Sequence, residues 1–144
     1  MRARQFLNQL QQAEIVAAIR EAEQRTSGEI RVFVSRRDIE DPLAAARRHF
    51  AALGMEKTRE RNGVLIFVAP RTQQFAILGD SGIHTRCGEN FWTQLAAQMS
   101  AYFQRAEFTQ GIVYGVKTAG ELLAQHFPFS PDDQNELPND IAHD

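Results

Sequence analysis

Asn62-Gly63-Val64-Leu65-Ile66-Phe67-Val68-Ala69-Pro70, a polar turn Arg71-Thr72-Gln73-Gln74, and then Phe75-Ala76-Ile77-Leu78-Gly79-Asp80-Ser81-Gly82 is the stretch that decides how this chain folds. Val64 to Ala69 is apolar at every position, so neither face of an extended segment there can meet water; this marks a central strand covered on both sides. Phe75 to Leu78 is equally apolar, and the short polar separation is of hairpin length. The run closes on Gly79-Asp80-Ser81-Gly82, where two glycines permit a tight turn around a carboxylate and a hydroxyl. The remaining elements are expected to pack on this hairpin or to gather at its rim.

Upstream, Asn8 with Gln11 three residues on has the form of a capping box, and Ile15, Ile19 and Ala22 recur at helical spacing through Arg25, with Gly28 as the stop. Ile30 to Ser35 alternates Ile, Val and Val against Arg, Phe and Ser, which predicts a strand with one drier face, near the sheet edge. Asp41-Pro42 starts a second helix with the stripe Leu43, Ala46, Phe50 and Leu53, ending at Gly54. Met55 to Arg61 is charged and stripeless, and reads as a solvated loop.

Downstream, Ile83-His84-Thr85 predicts a short fourth strand, and Gly88 opens a third helix with Trp92, Leu95, Ala96, Met99 and Phe103 along one side. Thr109 is the expected cap of a fourth helix carrying Ile112, Val113, Val116, Ala119 and Leu123, which ends at His126-Phe127-Pro128. Gly111 and Gly115 lie on that helix, and close approach of a neighbouring backbone explains them, since each costs about 1 kcal/mol in a helix interior. Residues 1–128 therefore form the folded domain. Residues 129–144 form an acidic, proline-broken tail without Lys or Arg, disordered if judged by composition alone. The hairpin must be antiparallel and the crossover through the second helix favours a parallel pair, so the fold class is α/β: a three-layer αβα sandwich on a small mixed sheet of about four strands.

Bulk properties narrow the function classes. The 144 residues fit one domain. A formal charge of −2, from 16 Lys and Arg against 18 Asp and Glu, offers no general field for nucleic acid or anionic lipid. No apolar run approaches the roughly 20 residues of a spanning helix. The basic N-terminus lacks a following apolar region, so a cytoplasmic chain without membrane insertion is expected. The single cysteine, Cys87, excludes an internal disulfide.

Several spaced blocks carry a family resemblance: Thr26-Ser27-Gly28-Glu29-Ile30, Asn62-Gly63-Val64-Leu65-Ile66, Gly79-Asp80-x-Gly82-Ile83, Phe91-Trp92, and Phe103-Gln104-Arg105-Ala106-Glu107-Phe108-Thr109-Gln110-Gly111. Together, over roughly residues 6 to 128, they resemble the TPM domain, the family of thylakoid proteins linked to photosystem II repair and of many bacterial proteins. Relatives often carry a signal peptide and an anchor. This sequence resembles the small stand-alone cytoplasmic branch, including its ending around Asp132-Asp133-Gln134-Asn135-Glu136-Leu137-Pro138. The resemblance implies an αβα sandwich around four strands, divalent-cation binding (notably calcium) in some relatives, and an acid phosphatase activity proposed for plant ones.

The residues themselves offer one cation site. Glu29 begins the first strand and Asp80 leaves the third; on a shared rim the two carboxylates converge, and Asp132, Asp133, Asn135, Glu136 and Asp140 of the tail can complete an oxygen shell. Hard oxygen ligands without clustered His or Cys favour Ca2+ or Mg2+ over zinc, and the EF-hand spacing is absent. The bland alternative has Glu29 capping locally, Asp80 in an Asx-turn and a solvated tail. The leading expectation is a non-enzymatic, cation-responsive regulatory or interaction module whose partner is another protein. The alternative is a metal-assisted phosphatase with Asp80 as nucleophile or metal ligand, Ser81 assisting and His84 as acid.

Other patterns weigh less. Gly79-Asp80-Ser81-Gly82 resembles a trypsin-like nucleophile segment, but no double β-barrel fits this chain. Neither a Walker nor a Rossmann glycine pattern is present. Cys87 beside Arg86 at a helix start is a candidate low-pKa thiol, although a lone cysteine more often fills a core. Phe91, Trp92, Tyr102 and Phe103 read as core, and Arg47, Arg48, His49, Lys57, Arg59 and Arg61 as a solvated basic surface.

Overall fold

A computed structural model of the chain describes residues 5, 6, 8, 10–88, 90–130 and 137–144. Its strands are β1 (Glu29–Val34), β2 (Gly63–Ala69), β3 (Gln74–Gly79) and β4 (Ala142–His143), and its helices α1 (Gln12–Glu23), α2 (Pro42–Ala52), α3 (Ser81–Cys87), α4 (Asn90–Gln104) and α5 (Phe108–His126). The strands form one mixed sheet in the order β3-β2-β1-β4. β2 is buried at all its positions. It pairs parallel with β1, from Glu29 opposite Gly63 to Val34 opposite Val68, and antiparallel with β3, from Val64 opposite Gly79 to Ala69 opposite Gln74.

Strand alternation builds the two cores. Ile30, Val32, Val34, Val64, Ile66 and Val68 face one side, where Ile15 and Ile19 of α1, Leu95 and Met99 of α4, and Ile112, Val116 and Leu123 of α5 meet them. Phe33, Leu65 and Phe67 face the other side, against Ala45, Ala46 and Phe50 of α2. The result is the expected three-layer αβα sandwich. Gly115 sits where an added Cβ would stand 2.6 Å from the Met99 sulfur, so the close approach predicted for α5 exists, but to a side chain of α4 rather than to backbone.

Several expectations give way to tertiary context. The fourth strand is not Ile83–Thr85: those residues lie in α3, because Asp80 accepts a hydrogen bond from the Ser81 N–H at 2.7 Å and caps a helix there. The fourth strand instead comes from the C-terminus. β4 pairs parallel with β1 at Phe33 and Val34, and Leu137 and Ile141 are buried beside it, so the part of the acidic ending that is described belongs to the folded body. Two well-placed apolar residues outweigh a polar composition. β1 is in consequence an interior strand, buried at every position, rather than an edge.

The helix that carries Ile15 and Ile19 begins at Gln12, behind Gln11 rather than Asn8, which itself lies in helical backbone, and Gln11 N–H donates to the Thr109 hydroxyl at 3.1 Å. Thr109 therefore joins two helix starts rather than capping its own. Met55–Lys57 forms a 3-10 turn whose Met55 is fully buried against the second core, so the segment read as a solvated loop is anchored. No described helix is long and apolar enough to cross a membrane.

Candidate cation-binding lip

The parallel strands β1 and β2 begin where β3 ends, and these three termini make one lip of the sandwich. Glu29 N–H donates to the Asn62 carbonyl at 3.3 Å and Asp80 N–H to the Gly63 carbonyl at 3.0 Å. Glu29 and Asp80 thus share a lip, with β2 between them; at roughly 4.8 Å per strand their backbones are about 10 Å apart.

Asp80, nearly buried, is fully engaged. Its Oδ2 accepts from Arg61 Nε at 3.0 Å, and its Oδ1 accepts from an Arg61 terminal nitrogen at 3.2 Å and from Ser81 N–H at 2.7 Å. The hydrogen bonds and charge of Asp80 push the Arg61 pKa further up. Gly82 locks this corner: its N–H donates to the Arg61 carbonyl at 2.9 Å, and a Cβ there would stand 2.6 Å from that same oxygen. Only glycine permits this approach.

Glu29, 2% exposed, faces a group that the sequence did not single out. Glu23, in the last turn of α1, reaches over the edge of β1 that the two-residue β4 leaves uncovered, and its Oε2 accepts from Ile30 N–H at 2.8 Å. The two carboxyls lie against each other. Burial first, and the charge and hydrogen bond of Glu29 with it, outweigh the Ile30 N–H and push Glu23 up to about 9. Glu23 consequently holds a proton near neutrality.

Next along the lip, Asn62 is buried. Its Nδ2 donates to Ser27 Oγ at 3.1 Å and to Glu60 Oε2 at 3.2 Å, while Ser27 Oγ donates to the same Glu60 oxygen at 2.6 Å. These bonds tie the loop before β1 to the loop before β2. Glu23 Oε1 and Asn62 Oδ1 are buried oxygens that no N–H reaches.

Asp140 lies two residues before β4 and meets a terminal nitrogen of Arg31, two residues in from Glu29, at 3.4 Å. It is paired with a buried guanidinium rather than gathered with Glu29 or Asp80. Asp132, Asp133, Asn135 and Glu136 lie outside the described residues. Among the described residues, no group of three or more His, Cys, Asp or Glu converges as a ready metal cage. Glu23 and Glu29 face each other at the start of β1, and the Asn62 side-chain oxygen belongs to the same lip.

The remaining candidates separate. Cys87 lies in the last turn of α3, and burial pushes its thiol up despite Arg86, which overturns the activated-thiol expectation. Trp92 is core, as expected. His49 stacks on Phe33 at 4.1 Å, and burial lowers its pKa; with Arg61 bound to Asp80, the basic surface is not one patch. Sequence reasoning missed Glu23, Asn62 and Arg61. Glu23 was findable, because it precedes Glu29 by one tight turn through Gly28.

Residues 1–122 match the TPM domain family. Among solved structures, the chain is similar to the BA42 protein of the psychrophilic bacterium Bizionia argentinensis, determined by NMR: 40% identity, TM-score 0.86, covering 94% of this chain and 96% of that one. No curated protein matches.

Proposed function

The chain belongs to the TPM domain family, and we propose that it is a divalent-cation-responsive binding module that takes a calcium- or magnesium-type ion at the lip carrying Glu23 and Glu29. The observation that carries this reading is the Glu23 and Glu29 carboxyls set against each other at the start of β1, on the lip that also holds an Asn62 side-chain oxygen that no N–H reaches. Two facing carboxylates repel, so near neutrality one keeps its proton unless positive charge is added. A divalent cation supplies that charge and accepts carboxylate and amide oxygens together. With only two carboxylates, the affinity belongs at the weak end, on the order of 10⁻⁴ to 10⁻³ M.

Filling the lip stiffens the junction of α1, β1 and the loop before β2, because Glu23, Glu29 and Asn62 come from those three segments. A protein partner reads the changed surface. Titrating metal-free protein with Ca2+ should move the amide signals of Glu23, Glu29, Ile30 and Asn62 saturably and raise the melting temperature by linkage. Glu29→Gln should abolish both responses. Unmoved lip signals at about 10 mM Ca2+, ten times the weakest affinity expected, would remove the proposal. A phosphatase centred on Asp80 has less support, since both its oxygens are engaged. Turnover of p-nitrophenyl phosphate, lost in Asp80→Asn, would replace our reading with that one.

A further inference from the structure

The opposite end of the sheet carries a cavity that the cation reading does not use. It opens beyond the carboxyl end of β2, has a volume of about 540 Å³, and is lined by Phe6, Phe75, Phe103 and Phe108 together with Ser100, Gln104 and the turn between β2 and β3. That volume lies within the roughly 300–1,000 Å³ of small-molecule sites. The space beyond the carboxyl ends of parallel strands is also where open α/β sheets take ligands.

Its walls are aromatic and connected. Phe6 and Phe108 have ring centroids 4.9 Å apart, Phe108 and Phe103 6.1 Å, and Phe103 meets Phe75 edge-on at 5.0 Å. Phe103 is held from behind, since a Cβ on Gly111 would stand 2.7 Å from its ring. Among the described residues, no Asp, Glu, Lys, Arg or His lines the cavity, so a charged ligand would lose its hydration without gaining a partner from them. The polar groups are a serine hydroxyl and glutamine amides, which fit a single N–H or O–H.

We propose that this cavity binds a small, flat, uncharged aromatic molecule bearing one hydrogen-bonding N–H or O–H. The ring lies among the four phenylalanines and the polar group meets Ser100 or a glutamine amide. Ring quadrupoles favour edge-to-face contacts, which this set of walls offers to an entering ring.

The test uses indole as the probe and the full chain labelled with 15N. Indole should shift the amides of Gln74, Phe75, Ser100, Phe103 and Phe108 saturably and leave those of Glu23, Glu29 and Asn62 unmoved. Indole-3-acetate, which adds a charge, should bind at least tenfold more weakly. Ser100→Leu fills the space with a good helix former and should abolish indole binding while the spectrum stays dispersed. If it unfolds the protein, the comparison of the two probes on the unmodified chain decides by itself. The proposal is overturned by the absence of saturable shifts up to the solubility limit of indole, by equal affinity for the two probes, or by undiminished binding to folded Ser100→Leu. Shifts at these amides that grow with protein concentration without any probe would also overturn it, in favour of contact with a second copy.

Discussion

Replacing Gly82 by alanine adds one methyl group at the corner where α3 starts, and its effect is worked from three contacts. The new Cβ presses on the Glu60 carbonyl oxygen and stands 2.6 Å from the Arg61 carbonyl oxygen and 3.1 Å from its carbon, and backbone cannot swing aside as a side-chain tip can. Relief requires the loop before β2 to move, which costs about 1–3 kcal/mol as overpacking. That movement strains the Gly82 N–H bond to Arg61, worth about 0.5–1.5 kcal/mol. It also loosens the Arg61–Asp80 pair, worth no more than about 1 kcal/mol because the arginine side chain is 51% exposed. Alanine returns up to about 1 kcal/mol of helix propensity. The net expectation is a destabilisation of about 2–3 kcal/mol.

Gly115→Ala is the control. It gains the same propensity, but its Cβ meets the Met99 sulfur at 2.6 Å, the end of a flexible side chain that can turn away. Its net change should stay within about 1 kcal/mol. At about 2.1 cal/mol/K per residue the unfolding entropy of a chain this size is about 0.3 kcal/mol/K, so Gly82→Ala should lower the melting midpoint by about 7–10 °C and Gly115→Ala by about 3 °C or less. Urea titration measures both. A Gly82→Ala protein as stable as the unmodified chain, or less affected than Gly115→Ala, would refute the claim that backbone contact at this corner excludes a side chain.

Two further outcomes follow from the lip and the tail. The folded pKa of Glu23 is raised above its unfolded value, so its contribution to stability is fully present below about 4.5 and is lost as pH rises through about 9. In metal-free buffer the melting temperature should therefore decline between pH 5 and pH 9. Glu23→Gln, which keeps an acceptor for Ile30 N–H, should flatten that decline, and an unchanged slope would disprove the buried-carboxyl assignment. Ile141→Ala truncates a side chain 7% exposed beside β4 and should cost about 2–4 kcal/mol. The β1 amides that face β4 should then exchange faster while those of β2 stay protected; equal acceleration in both strands would mean that the C-terminal segment does not open separately.

The chain order by itself determined the central hairpin, because an unbroken apolar run from Val64 to Ala69 has only one stable environment, buried on both faces. It also determined the α2 start at Asp41-Pro42, where cap and fixed φ act within one turn. These are local decisions, made by a few adjacent residues. Where pairing is distant, the tertiary structure decided. Whether β1 is an edge depended on Leu137 and Ile141, more than 100 positions away, and no local pattern states that register. Likewise Glu29 was legible as a lip residue, but its partner was not. Glu23 falls just off the apolar stripe of α1 and becomes a half-buried acid only when the turn through Gly28 folds the helix end back over the start of β1, where desolvation and a facing carboxyl change its chemistry.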